Sequence, residues 1–486
     1  MAKRERISNV DTAWLRMDRP ANLMMIVGVL MFDGPIDFAR LQRTVAARLV
    51  DRYPRFRQRA VVEATGSWWE EDGEFDLDAH LHRVALPGRR GKAELEALVA
   101  ELASTPLSPH KPLWEFQLVE SYDGGGALIA RIHHCIADGI ALVGVMLSLT
   151  DDRADAPEPA VPEPRLPRAG ESNPWRVLFD PLTQATVSAI NLGAQAWVKY
   201  FQLLAEPAQV ADYGRVGMGF AAELGKLLAM PKDSPSRFKG KPRGTKAVAW
   251  SDPLPLAEVK AVGRPLGCSV NDILLASVAG ALRAYLDERG DATEGVELRA
   301  LVPVNLRQPE HAGTLGNRFG MVTLELPVGE ANPLARLYET RRRMQELRRS
   351  YQPVLTLGIL GAAGLGPRLV QEELLDFLAN KCSAVMTNVP GPQHPIYLAG
   401  ARLRQPFFWV PQSGNIGMGV SILSYNHEVQ FGVITDKRLV PDPERIVGRF
   451  AEEFQKLMML VLMEPWELLR DPELIEAHYA AHWAPS

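Results

Sequence analysis

Residues 151–174, DDRADAPEPAVPEPRLPRAGESNP, carry six prolines and almost no bulky apolar side chains. Proline lacks a backbone N–H and fixes φ, so such a stretch reads as an extended linker rather than as part of a packed element. It divides the 486-residue chain into parts that must fold on either side of it. Before it, strand-like and helix-like patterns alternate, as in MMIVGVLMFDG followed by DFARLQRTVAARLVDRY, which predicts an α/β lobe over residues 1–150. After it, residues 175–246 read as a helical connection ending in a basic linker, and a second α/β lobe opens near Ala247 and runs to residue 486. A chain of this length accommodates roughly two to four domains.

Several function classes are disfavoured at once. A formal charge of −4 gives no footprint for nucleic acid as a bulk partner. The three cysteines, Cys135, Cys268 and Cys382, are far apart and have no metal-ligand spacing, which predicts neither a disulfide framework nor a metal site and fits a reducing compartment. The opening MAKRERISNVDTAWLRMDRP has no apolar signal core, and no run of about 18 apolar residues follows, so a cytoplasmic chain that does not span a membrane is expected. The patterns GxxxxGK[ST], GxSxG and HExxH are all missing, which leaves phosphate-loop, serine-hydrolase and metalloprotease readings without support.

The chemistry concentrates in ALIARIHHCIADGIALVGVMLSLT, residues 127–150. Period-two alternation puts Leu128, Ala130, Ile132 and His134 on one strand face and Ile129, Arg131, His133 and Cys135 on the other, so the two histidines cannot share a role. Asp138 is suited to cap the apolar helix that follows, and Gly139 to a close backbone approach. A neutral imidazole accepts a proton at cellular pH, and general-base catalysis contributes roughly 10² to 10⁴-fold. The bland alternative is a pair of satisfied core histidines; the fixed spacing to Asp138 and Gly139 favours chemistry.

HHCIADG matches the HHxxxDG signature of CoA-dependent acyltransferases and nonribosomal peptide condensation domains. Around it stand PLSPHKPLWEFQLVE, SVNDILLASVAGALRAYL, LVPVNLR, LGNRFG, TNVPGP and SYNHEVQFGVITD. Together and in this order the chain resembles the bacterial wax ester synthase/acyl-CoA:diacylglycerol acyltransferase family. The resemblance implies a two-lobed chloramphenicol-acetyltransferase-like α/β fold with an active-site tunnel between the lobes. It further implies an acyl-CoA co-substrate, a fatty alcohol or diacylglycerol acceptor, His134 as general base, and no cofactor or metal.

Acyl transfer from a thioester also needs a donor for the oxyanion. Asn271 is the candidate, with the alternative that it merely caps its helix or that Asp272 does so. Asp138 is expected to hold the turn and to pair with Arg307, as the matching aspartate pairs in plant members of the wider superfamily; Arg57 is the second choice. The chain departs from the family in having Ser108 where PLD is usual, and Cys135 where alanine is common. Cys135 raises a rival acyl-enzyme route, although a small core residue is the expected reading. Other HHxxxDG activities, polyketide-diester or peptide-condensing, and a catalytically idle lipid-binding scaffold are the competing functions.

Two basic stretches remain. RFKGKPRGTK, residues 237–246, reads as a solvated linker, with CoA phosphates as the alternative partner. Residues 336–366 join six arginines to the uncharged VLTLGILGAAGLG, which predicts peripheral docking on the inner membrane or a lipid droplet, against the alternative of a solvated helix followed by a buried segment.

Overall fold

The computed structural model describes residues 4–63, 66–157, 225, 229–306, 315–317, 319–348, 350, 352–365, 380–474 and 477–478. Most of the proline-rich linker and the predicted helical connection lie outside the described residues.

The first half carries β1 (Glu5–Arg6), α1 (Asn9–Met17), β2 (Met25–Phe32), α2 (Phe38–Val45), β3 (Gln58–Glu63), β4 (Gly66–Glu71), β5 (Leu81–Val84), α3 (Lys92–Ser104), β6 (Trp114–Tyr122), β7 (Gly125–His133) and α4 (Gly139–Ser148). The second carries β8 (Lys246–Trp250), β9 (Leu254–Pro255), α5 (Leu256–Leu266), α6 (Val270–Glu288), β10 (Leu298–Asn305), β11 (Phe319–Leu326), α7 (Pro333–Leu347), α8 (Gln352–Leu365), β12 (Ala384–Pro390), β13 (Tyr397–Leu398), β14 (Ala401–Trp409), β15 (Met418–Tyr425), β16 (Glu428–Asp436) and α9 (Pro443–Met463).

Two large mixed sheets organise these elements. One has strand order β13-β14-β2-β7-β6-β5, the other β11-β10-β12-β15-β16-β8 with β9 also on β16. Every residue of β2 and β7 is buried, as expected of apolar strands covered on both faces. Period two sorts β2 cleanly. Ile26 and Leu30 enter the first lobe's core with Leu128, Ala130 and Ile132 of β7, while Met25, Val27, Val29 and Met31 face α3 together with Val248 and Trp250 of β8 and Phe407 and Trp409 of β14. The second core forms around α6, whose Ser269 and Asp272 close a capping box at its start.

One feature departs from the division at residue 247. β13 and β14 belong by sequence to the second half but extend the first sheet, β14 pairing antiparallel with β2 from Leu403↔Phe32 to Trp409↔Val27. The unpaired edge of β2 is thereby closed, which removes a hazard that an open apolar strand presents.

The basic stretches are tied down. Arg237 Nη2 donates to Asp291 Oδ1 at 2.9 Å, Lys239 to the Cys382 carbonyl at 2.7 Å, and the buried Lys246 to Gln412 Oε1 at 3.0 Å. Residues 237–246 are therefore packed chain, not a solvated linker. Further on, Arg336 is buried against Glu453, and Arg343 binds Glu297 and Glu339. Among the described residues no single helix is long and apolar enough to cross a membrane.

Candidate active site

The HHxxxDG corner is pinned at its main chain before any side chain is considered. The His133 N–H donates to the Leu113 carbonyl at 2.9 Å and the His134 N–H to the Met24 carbonyl at 2.8 Å, so the corner hangs between the Pro-Leu-Trp segment and the approach to β2. Trp114 of that segment is fully buried; its indole N–H donates to the Phe56 carbonyl at 2.9 Å and its ring stacks on His80. The Ile136 N–H closes the turn on the His133 carbonyl at 3.0 Å. Asp138 then caps α4, accepting from the Ala141 N–H at 2.8 Å, a bond that stabilises such a helix by about 1 kcal/mol. Gly139 needs no special accommodation within the protein, because a Cβ there would meet only Val410 Cγ1 at 3.5 Å.

The two histidines have separate surroundings. His133 Nδ1 accepts from the Cys135 N–H at 3.1 Å, and its Nε2 lies 3.9 Å from Asp18 Oδ1, beyond hydrogen-bond reach. Burial, with the neighbouring His134 ring, lowers its pKa to about 3. His134 lies past the end of β7, its ring stacked on Trp14 at 4.1 Å between centroids and tilted against Phe319 at 5.5 Å. Burial lowers His134 to about 4, opposed by the Asp138 carboxylate, its own carbonyl and the Asn317 amide. Both rings are neutral at pH 7, so His134 can accept a proton there.

Strand alternation does not extend through Cys135. The strand stops at His133, and Cys135, Ile136 and Ala137 turn into the same core as Ile132. Cys135 is fully buried, and burial, with Asp11 and Asp18, pushes its thiol well above the ordinary range. A thiolate nucleophile is disfavoured there.

Three residues beside His134 were absent from the sequence-based site. Asn317 Nδ2 donates to the His134 carbonyl at 2.7 Å and to Asp11 Oδ1 at 2.6 Å. Asp11 and Trp14 both stand on α1. Asn317 lies in the LGNRFG motif, where Gly316 at φ +103 bridges Ala137 and brings the segment onto the corner.

Asn271 and Asp272 open α6, and the cap is neither of them but Ser269, which Asp272 supports from the third position. Asn271 Oδ1 instead accepts from Asn388 Nδ2 of the TNVPGP motif at 3.0 Å, which leaves its own Nδ2 hydrogens for another acceptor. Arg307, the expected partner of Asp138, lies outside the described residues. Arg57 approaches Asp51 at 3.8 Å and Glu71 at 3.4 Å. Among the described residues, no group of three or more His, Cys, Asp or Glu side chains could hold a metal ion.

Residues 7–274 match the family model of the wax ester synthase/diacylglycerol acyltransferase catalytic domain, and residues 315–458 that of the WS/DGAT C-terminal domain. A Mycobacterium tuberculosis protein named as a diacylglycerol O-acyltransferase is 30% identical over 440 residues, covering 88% of this chain and 84% of that protein. Another from the same organism is 25% identical over 472 residues, covering 93% and 96%. The fold is similar to that of the wax ester synthase/diacylglycerol acyltransferase from Marinobacter aquaeolei VT8, with TM-score 0.67 and 21% identity over 94% of this chain and 100% of that one. It is also similar to the first condensation domain of the calcium-dependent antibiotic synthetase, with TM-score 0.58 and 17% identity over 97% of each chain.

Proposed function

The chain belongs to the wax ester synthase/diacylglycerol acyltransferase family, and on that premise we propose that it moves a long-chain acyl group from acyl-CoA to the hydroxyl of a fatty alcohol or a diacylglycerol. The observation that carries the reading is the neutral His134, held at a pinned strand-to-helix corner against rings from α1 and β11.

In this mechanism His134 takes the proton of the acceptor hydroxyl as its oxygen attacks the thioester carbonyl. A tetrahedral oxyanion forms, with the Asn271 amide as its donor; removing one such donor costs about 10² to 10³ in rate. The intermediate collapses with cleavage of the C–S bond, and the imidazolium returns its proton to the departing CoA thiolate. Direct transfer leaves Cys135 unmodified, in keeping with its burial. The two substrates reach the site from opposite ends of a tunnel between the lobes. The enzyme works at the cytoplasmic surface of the membrane or of a lipid droplet, where acceptors of this kind reside. Arg336 and Arg343 are paired inside the protein, so among the described residues the exposed Arg342 and Arg348 are the arginines of the 336–366 stretch that such a docking face would use.

The test is incubation with palmitoyl-CoA and hexadecanol, dipalmitoylglycerol or a long-chain amine in turn, following free thiol, bound lipid, and ester or amide product together. Release of CoA matched by ester formation is expected with at least one acceptor. Lipid binding with no CoA release would leave an idle scaffold, and transfer only to an amine acceptor would indicate a condensing enzyme.

A further inference from the structure

We propose that Asp11 and Trp14 of α1, together with Asn317 from the second lobe, are positioning residues for His134: they clamp its main chain and its ring in the pose from which it takes the acceptor's proton. The proposal rests on the reading of His134 as the base.

The main-chain half of the clamp is the Asn317 amide. Its two Nδ2 hydrogens are both used, one on the His134 carbonyl at 2.7 Å and one on Asp11 Oδ1 at 2.6 Å, while the Asn317 N–H adds a bond to the same Oδ1 at 3.2 Å. Helix capping accounts for only part of Asp11. Its Oδ2 accepts from Ser8 Oγ at 2.7 Å and Ser8 in turn caps the Asp11 N–H at 3.1 Å, which completes the start of α1. Oδ1 has no part in that cap. It faces Asn317, and a bond from an amide to a carboxylate is stronger than one to a neutral acceptor.

The ring half of the clamp is Trp14, three residues further along the same helix and so on the same face. Its indole lies nearly parallel to the imidazole at 22°, with Phe319 on the same aromatic cluster. The indole N–H is buried and finds no hydrogen-bond partner among the described residues. Its placement is therefore explained by ring contact rather than by a hydrogen bond. Because Asn317 comes from a segment 183 residues beyond His134, the base is held only where the two halves of the chain meet.

The test is steady-state kinetics on the full-length enzyme with palmitoyl-CoA and its accepted acceptor. The variants are Asn317→Ala, Asp11→Asn, their double, Trp14→Ala, Trp14→Leu and Trp14→Phe, with His134→Ala as control. Misplacement of a reacting group by about 1 Å costs about 100-fold. Asn317→Ala and Asp11→Asn should therefore each lower kcat by roughly 10- to 100-fold with KM little changed, and the double should be no worse than the poorer single. Trp14→Ala should fall similarly and Trp14→Phe should recover most of the loss. The acid limb of the kcat profile should move to higher pH in Trp14→Ala as water reaches the ring, with His133, Asp138 and Asp11 as the neighbouring titrating groups. Trp14→Leu, which keeps apolar volume but no ring, carries the test if Asn317→Ala fails to fold. An inactive His134→Ala beside variants that retain the parent kcat, or that lose activity only through KM, would overturn the clamp and leave the base in place. A fully active His134→Ala would overturn both.

Discussion

Replacing His133, the histidine that does no chemistry in this reading, separates the two roles of the corner. His133 is buried, and its Nδ1 is the acceptor for the Cys135 N–H. Alanine would orphan that N–H inside the protein, at about 1–3 kcal/mol, and add the cost of an imidazole-sized gap. Removing Nε2, which has no hydrogen-bond partner among the described residues, returns part of this. A net loss of about 2–3 kcal/mol is expected for His133→Ala. Asparagine carries its carbonyl oxygen as far from the main chain as Nδ1, so His133→Asn should keep the bond and lose under about 1 kcal/mol. Glutamine places its acceptor one bond further out, toward Asp18, and should resemble alanine.

The pH dependence sharpens the test. The folded-state pKa of about 3 lies below the ordinary 6.5, so as pH falls below 6.5 the unfolded chain takes up a proton that the folded one refuses. The parent should lose up to about 1.4 kcal/mol per pH unit from this group between pH 6 and 4, and His133→Asn should not. Urea midpoints followed by tryptophan fluorescence at pH 7.5 and pH 5 measure both effects. The asparagine variant should be slightly weaker than the parent at the higher pH and stronger at the lower, with kcat at pH 7.5 within tenfold of the parent. Equal midpoints for the asparagine and glutamine variants, or no crossing with pH, would exclude this role for the His133 ring.

Cys135→Ala should keep most activity, and intact-protein mass spectrometry after acyl-CoA without acceptor should show no acyl adduct, because the thiol is buried and its pKa is raised. Glu96 accepts from the Trp250 N–H at 3.1 Å, and burial raises its pKa to about 7. Its folded pKa lies above the ordinary 4.5, so its contribution is present below pH 4.5 and lost as pH rises toward 7. Glu96→Gln should melt near the parent at pH 4.5 and above it at pH 8, and an equal gap at both would count against this. Arg336→Ala should cost about 3–5 kcal/mol by stranding the buried Glu453 carboxylate. Gly280→Ala should cost less through the same pair, since a Cβ there meets both side chains. Chemical denaturation checks both values.

Features written within a few consecutive residues were legible in the sequence. The apolar run of β7, the Asp138 cap and the apolar start of α4 lie together in one stretch, and the corner appears where that stretch places it. Period-two alternation does not reach Cys135, because it holds only while the strand lasts and β7 ends two residues earlier. Asp11 and Asn317 were not legible as partners because 306 residues separate them and neither carries a local sign of the other. Residues 237–246 read as solvated for the same reason, since the acceptors that hold Arg237 and Lys239 lie 54 and 143 residues away.

Strand β14 shows why the site depends on both halves of the chain. Nothing in ARLRQPFFW says which sheet it will join, yet its choice closes the β2 edge and brings Phe407 and Trp409 against Trp250 of β8. These aromatic side chains are essentially fully buried in a cluster drawn from α3, β2, β8 and β14. At roughly 150–250 Å² per ring and about 25 cal/mol per Å², each stabilises the junction by several kcal/mol at most. The same β2 that gives one face to this junction gives the other to the first core, and the Met24 carbonyl just before it receives the His134 N–H. The position of the imidazole therefore follows from the docking of the lobes, with β2 fixing its main chain from one side and Asn317 from the other.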